Sequence, residues 1–455
     1  MKLSRLSIAI GTAMMVVACA SHPPARVQPR MPAPDVEPQT DAWWKSFHDP
    51  ELDSLVARAV AANYDLKSAA ARVEEARAVR GGARSDYLPH SSASVSATRN
   101  RLFTVVPQPF AVDTSIYRVA FDTAWEVDVF GRVRGEVDAA TSELVASEQD
   151  RRNVLVSLLG DVGRNYTDLR GLQARRTIAD QNIAAAQVTV SLTRALAQAG
   201  QATEREVAQA QAQLESLRSQ IPGLETSIQF AIHRLGVLLG GQPDALQAEL
   251  ASPASIPLEA PAVPVGLPSD LLERRPDVLR SRAQLAAAHA RVGEARADYF
   301  PRFTLLGTAG RQASQLHDLR LGLGNFFSIG PTVSLPLFSR GRIRSNVAVQ
   351  EARVTQAEDA FQSTVLTSLE ETENALVAYA REQERRDRLE AAVRASQTAV
   401  DLATVQYRAG LTDFLTVLQA QRDLYTNQDL LAASQTAIAT NLVALYKALA
   451  GGWPL

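Results

Sequence analysis

The sequence predicts an internally duplicated membrane protein of mixed class. A membrane β-barrel is joined to a long α-helical coiled-coil barrel, with four strands per chain completed to a twelve-stranded barrel in a trimer. Three observations carry this expectation. The chain repeats itself at an offset of about 210 residues, a period far longer than that of solenoid repeats. Four segments alternate apolar and polar residues with period two, and two very long stretches keep the spacing of a coiled-coil seam.

The duplication is read directly from matched phrases. Ala83-Arg84-Ser85-Asp86-Tyr87-Leu88-Pro89 answers Ala295-Arg296-Ala297-Asp298-Tyr299-Phe300-Pro301. Phe130-Gly131-Arg132-Val133-Arg134 answers Arg340-Gly341-Arg342-Ile343-Arg344, and Ala199-Gly200 answers Ala409-Gly410. Val207-Ala208-Gln209-Ala210-Gln211 answers Val417-Leu418-Gln419-Ala420-Gln421. The first repeat covers 41–252 and the second 269–455, joined by a Pro-rich linker at 253–268.

The amino terminus reads as a processing signal over 1–18. Lys2 and Arg5 precede a short apolar run, Leu6 to Val17, and the single cysteine, Cys19, follows Val16-Val17-Ala18. That order resembles the bacterial lipoprotein cleavage box, in which the cysteine is lipidated. An ordinary secretory peptide with an incidental cysteine is the blander alternative. Ala20, rather than an aspartate, points by the same resemblance to the outer membrane. Residues 19–40 carry Pro23, Pro24, Pro29, Pro32, Pro34 and Pro38, an extended tether. Without Lys2 and Arg5 the remaining 45 basic and 49 acidic residues leave a net charge of −4. There is no basic stripe, which argues against nucleic acid as a partner.

Strands are expected at about 91–99, 116–127, 303–311 and 326–337. From Tyr117 to Val127 the odd positions read Tyr, Val, Phe, Thr, Trp, Val and the even ones Arg, Ala, Asp, Ala, Glu. One greasy face and one polar face suit a membrane barrel, although a soluble sheet on a core shows the same alternation. Open edges are not tolerated in hydrocarbon, and four strands cannot close. Copies of the chain must therefore complete the barrel.

Long helices are expected at about 132–240 and 340–450. Val133, Val137, Ala140, Leu144 and Ser147 keep four-three spacing, repeated by Ile343, Val347, Gln350, Val354 and Ala357. An uninterrupted helix from Arg132 to Gly200 would run about 100 Å, far beyond a membrane thickness.

Several phrases resemble the TolC-type outer-membrane efflux channels, in the NodT-like lipoprotein branch that works with RND pumps. They are Trp43-Trp44-Lys45-Ser46-Phe47-His48-Asp49-Pro50-Glu51-Leu52, Leu271-Leu272-Glu273-Arg274-Arg275-Pro276-Asp277-Val278, Arg408-Ala409-Gly410-Leu411-Thr412 and Tyr446-Lys447-Ala448-Leu449-Ala450-Gly451-Gly452-Trp453. The resemblance implies a homotrimeric outer-membrane channel with a helical periplasmic tunnel. It also implies a periplasmic adaptor (membrane fusion) protein and an inner-membrane RND transporter as partners, with no cofactor.

Two sets of site residues follow from the resemblance. Gly200-Gln201-Ala202-Thr203 and Gly410-Leu411-Thr412 match the hairpin tips that meet the adaptor; as plain sequence they are helix-terminating turns with threonine caps. The family's gate aspartates fall on Thr416 and Gln419. Asp413, Thr416, Gln419 and Asp423 still share one helix face, which reads either as a polar gate and lumen lining or as a solvent-facing stripe.

Enzyme chemistry finds no support. His22, His48, His90, His233, His289 and His317 are scattered, and no metal-ligand spacing links them. Glu370-Glu371-Thr372-Glu373 faces several ways on a helix and reads as solvated surface. Passive export of small molecules is the leading expectation. A duct for ABC-type protein secretion and a lipid-anchored structural coiled coil without a conduit are the alternatives.

Overall fold

The structure, a computed structural model, describes residues 43–104, 110–257, 274–319 and 324–449. The signal peptide, Cys19 and the tether lie outside the described residues, as do most of the linker and the phrase ends Leu271–Glu273 and Ala450–Trp453.

A 3-10 turn, Trp43–Phe47, leads into α1 (Pro50–Ala62) and α2 (Tyr64–Ser85). β1 (His90–Thr104) and β2 (Phe110–Val127) follow, then α3 (Arg132–Gln198), α4 (Glu204–Arg218), α5 (Ile221–Leu238) and the single-turn α6 (Gln247–Leu250). The second repeat runs α7 (Pro276–Ala297), β3 (Arg302–Ala313), β4 (Asn325–Ser334), α8 (Arg340–Arg408) and α9 (Phe414–Ala448). The duplication is visible in this order: helix, hairpin, long helix, tip, helix.

The four strands form one antiparallel sheet in the order β1-β2-β3-β4, with two outer edges. Three strands are longer than the alternation alone suggested: β1 reaches Thr104, β2 starts at Phe110 and β3 runs to Ala313. β4 stops at Ser334, short of the expected 337; Pro336 follows and cannot donate to a ladder. The cross-strand register sorts the side chains into two faces. Val95 lies opposite Val119, Ala93 opposite Phe121, Trp125 opposite Leu305, and Ala309 opposite Phe327. This greasy face is bare: Val95 is 81% exposed, Phe327 83% and Ile329 71%. The other face carries mainly Ser, Thr and charged groups. There Asp122 accepts hydrogen bonds from Ser94 (2.6 Å), Thr308 (2.7 Å) and Arg118 (3.1 Å), tying three strands together. Arg118 lies 5.0 Å from the Phe326 ring on the fourth. Gly310 is required by close approach, since a Cβ there would come within 2.2 Å of the Val119 carbonyl.

Helix and sheet are joined by aromatics. The phrases that contain Tyr87 and Tyr299 each terminate a helix, α2 and α7, and hand the chain to a strand across Pro89 and Pro301. Trp125 donates to the Tyr87 carbonyl (2.9 Å), and Phe130 stacks on Phe300 with centroids 4.6 Å apart.

α3 and α8 are 67 and 69 residues long, about 100 Å each at 1.5 Å per residue. α3 starts where Asp128 accepts from the amides of Val133 (3.3 Å) and Arg134 (2.9 Å). The expected seam positions Val133, Val137, Leu144, Ile343 and Val347 are buried. The predicted second long helix of the first repeat is broken: α4 ends at Arg218 and α5 begins at Ile221. Pro222 is the cause. It has no N–H to give and its ring crowds the carbonyl four residues back, whereas Ala432 holds the corresponding place in unbroken α9.

The largest core sits midway along α3. Trp43, Phe47, Leu52 and Leu55 pack there on Leu159, Tyr166 and Leu169, with Leu235, Leu442 and Tyr446 closing the cluster. Trp43 stacks on Tyr446 at 5.2 Å, so the first and last signature phrases form one knot. Asp49 caps α1 through the Glu51 amide (2.9 Å) and also accepts from the buried Tyr166 hydroxyl (2.5 Å). Burial and that carboxylate push the Tyr166 phenol far above its ordinary value. The mid-chain phrase has an equally specific place. Buried Arg275 pairs with Asp277 (2.7 Å) and with Glu371 (2.6 Å), and donates to the Ala448 carbonyl (2.9 Å). Glu371 is thus a structural ion-pair partner, which the reading of 370–373 as plain solvated surface missed.

Candidate gate and tip residues

Both helical hairpins end in the same turn. Gly200 and Gly410 each adopt φ of 72°, the left-handed conformation that glycine enters without a Cβ penalty. Gly200 N–H donates to the Ala197 carbonyl (3.0 Å) and Gln201 N–H to Leu196 (2.8 Å). At the second tip Gly410 donates to Tyr407 (3.0 Å) and Leu411 to Gln406 (2.9 Å). These paired bonds are Schellman closures, which satisfy the last carbonyls of α3 and α8.

The next helices are capped differently. Thr203 and Glu206 form a reciprocal capping box: Thr203 N–H donates to the Glu206 carboxylate (2.7 Å), and Glu206 N–H to the Thr203 hydroxyl (3.4 Å). At the second tip Asp413 is the cap. Its carboxylate accepts from the Thr416 hydroxyl (2.7 Å) and amide (3.0 Å), while the Thr412 hydroxyl donates to that of Thr416 (3.1 Å). The Thr416 hydroxyl first, and its amide next, hold the Asp413 carboxyl below the usual carboxylate range. Gln419 donates to Asp423 (3.0 Å) one turn on. Asp413, at the cap, and Thr416, Gln419 and Asp423, on α9, are all exposed. Gln201 and Thr203 are exposed and Ala202 half-buried; Leu411 is 79% exposed and Thr412 half-buried.

Behind the stripe the two hairpins share a core of Val190, Leu214, Phe414, Leu418 and Tyr425. Three residues that sequence reasoning missed stand out. Tyr407 packs against Phe414 with centroids 5.5 Å apart. Its hydroxyl is buried with no hydrogen-bond partner among the described residues, and burial, then the charge of Glu206, pushes the phenol up. Tyr407 had a signal: the first tip has Ala197 at the matching place, a departure from the repeat. Farther from the tip, Arg175 and Asp429 make a two-pronged ion pair (2.7 and 3.0 Å) that fastens α3 to α9. The pair borders a cavity of about 770 Å³ between α3, the α4–α5 break and α9.

Among the described residues no cluster of three or more His, Cys, Asp or Glu is arranged to hold a metal ion. No described helix is long and apolar enough to cross a membrane, a statement that does not touch the sheet. The family model described as outer membrane efflux protein matches residues 55–241 and 267–451. The chain is similar to the pyoverdine export outer membrane protein OpmQ of Pseudomonas aeruginosa, 33% identical over 471 residues and covering 100% of this chain and 98% of that protein. The toluene efflux pump outer membrane protein TtgC of Pseudomonas putida is 31% identical, over 92% of this chain and 87% of its own. Among solved structures, the outer-membrane channel OprN matches with a TM-score of 0.87 and 35% identity, over 90% of this chain and 92% of that one.

Proposed function

From a chain that belongs to the outer membrane efflux protein family, we infer the outer-membrane channel of a tripartite efflux pump, a passive duct for small molecules from periplasm to exterior. The observation that carries this reading is the two-faced sheet with two unpaired edges. A strand from Tyr117 to Val127 rises about 3.3 Å per residue and, tilted as in membrane barrels, spans about 25 Å of apolar band. A bare face of Val, Phe, Ile and Trp is favourable only against lipid. The edges find partners in two further copies, giving a homotrimer with twelve strands. α3 and α8, with α4–α5 and α9, then act as staves of a periplasmic tube, and Cys19, once lipidated, anchors the tether to the membrane.

The tips Gly200-Gln201-Ala202-Thr203 and Gly410-Leu411-Thr412 are the surfaces for a periplasmic adaptor linked to an RND-type inner-membrane transporter. Asp413, Thr416, Gln419 and Asp423 line the narrow periplasmic end, where threefold repetition turns one polar stripe into a ring. Tyr407 and Phe414 hold α9 against α8 behind that ring. Opening requires the helices to shift at the tips; no bond is made or broken, and energy comes from the transporter. OpmQ and TtgC are named for pyoverdine and toluene, so the cargo is a small molecule whose identity the transporter sets.

Reconstitution into planar lipid bilayers tests the duct. Discrete single-channel currents are expected, with larger conductance once Asp413 and Gln419 are both changed to alanine. Protein that inserts into the bilayer and passes no current would refute it.

A further inference from the structure

The break between α4 and α5 does more than interrupt a helix. Where Pro222 ends the helical run, the cavity of about 770 Å³ lies between the break, α3 and α9. That volume falls within the roughly 300–1,000 Å³ of sites that enclose drug-sized molecules. Gly223 stands exposed at its rim, and a Cβ there would meet nothing within 4 Å. Leu172, Ile178, Leu217 and Leu224 supply an apolar wall.

The polar groups of the lining are unspent, and each can donate. Tyr425 is 7% exposed, and its hydroxyl is buried with no hydrogen-bond partner among the described residues. Burial pushes that phenol up, so it stays a neutral donor. Asn182, also 7% exposed, makes no side-chain hydrogen bond to another described residue and has two N–H groups to give. Arg422 spends its Nε on the Gln213 side-chain oxygen (2.7 Å), keeps both Nη groups free, and meets no carboxylate among the described residues. Arg175 is neutralised by Asp429. The charged lining groups, Arg175, Arg422 and Asp429, therefore sum to one positive charge. Two polar side chains this deeply buried with nothing to bond are costly unless something else accepts from them.

We propose that this cavity is a binding site for a small amphipathic anion, a single carboxylate on an apolar ring body. The carboxylate accepts from Arg422, Tyr425 and Asn182 and offsets the one unpaired charge; the rings lie on the leucine and isoleucine wall. A neutral molecule of the same shape leaves the guanidinium without its counter-charge and binds less well. The occupant touches α3, α4, α5 and α9, so it ties the two hairpins together beside the candidate gate residues of α9. Every lining residue comes from one copy of the chain, so the site stands apart from the trimeric duct reading above.

Calorimetric titration of the detergent-solubilised protein with 1-naphthoate tests the site, with 1-naphthamide as the same body without the charge. Saturable uptake of one naphthoate per chain is expected, about tenfold tighter than the amide. Arg422→Gln should weaken naphthoate binding about tenfold, and Tyr425→Phe several-fold. Tyr425→Phe removes only an unbonded hydroxyl and keeps the ring, so the fold survives it. Gly223→Leu sets a side chain in the rim and should abolish uptake, with the thermal midpoint unchanged because open space receives the new atoms. Naphthoate taken up equally by the wild-type and Gly223→Leu proteins, or no more tightly than naphthamide, overturns the assignment. So does the absence of saturable uptake by the wild-type protein.

Discussion

α3 and α8 hold the same place in the two repeats and have nearly the same length, yet one chain treats them differently. α3 buries side chains along its whole course, from Val133 to Thr193. α8 buries only Ile343, Val347, Ser368, Thr372, Ala375, Tyr379 and Ala403, and leaves Leu366, Val377, Leu402 and Val405 more than half exposed. In a duplicated tube, equivalent staves need equivalent neighbours. What α8 lacks must come from another copy, just as β4 lacks the neighbour that β2 has in β3. The contrast teaches where the seams are: one chain contains a finished joint and the two halves of an unfinished one.

Four substitutions sharpen or break that comparison, from the largest effect to the smallest. Leu169→Ala empties a site on α3 with no exposure. It is expected to cost about 3 kcal/mol and to lower the thermal midpoint of the purified protein, whatever its state of assembly. Asp49→Ala removes the α1 cap and strands the buried Tyr166 hydroxyl, for a combined loss of about 2 kcal/mol in the same unfolding assay. Leu366→Ala on α8 should cost about 1 kcal/mol in the trimer and nothing measurable in a dissociated chain, a split that heat resistance of the trimer on gels detects. If the loss is nil in both, α8 faces water and the comparison fails.

The smallest effect concerns the tips. Asp413 is held below its ordinary value of 3.8, so its cap contributes stability above that pH and loses it as pH falls through the depressed value. Amide exchange at the first turn of α9 should therefore quicken on acidification below about pH 4. Asp413→Ser keeps a cap that does not titrate and should flatten this dependence.

Much of the architecture was legible because it rests on short-range pattern. Period-two alternation marked all four strands, and matched phrases marked the repeat and both glycine turns. What escaped the sequence has physical reasons. β1 and β2 run past the apolar band to Arg99, Arg101 and Asp113, where Asp113 pairs with both arginines and the greasy alternation breaks. The α4–α5 break was hidden because apolar spacing continues across Pro222. Arg275 and Glu371, 96 residues apart, leave no local trace of their pairing. At the candidate gate the exposed stripe from Asp413 to Asp423 was readable from helical spacing. Tyr407 was readable only as a departure from the repeat, and its buried hydroxyl depends on packing between hairpins.

Native mass spectrometry of the detergent-solubilised protein tests the central claim most directly, namely that one chain is a third of a closed structure. Three copies are predicted as the dominant species. A stable, folded monomer as the dominant species would contradict it.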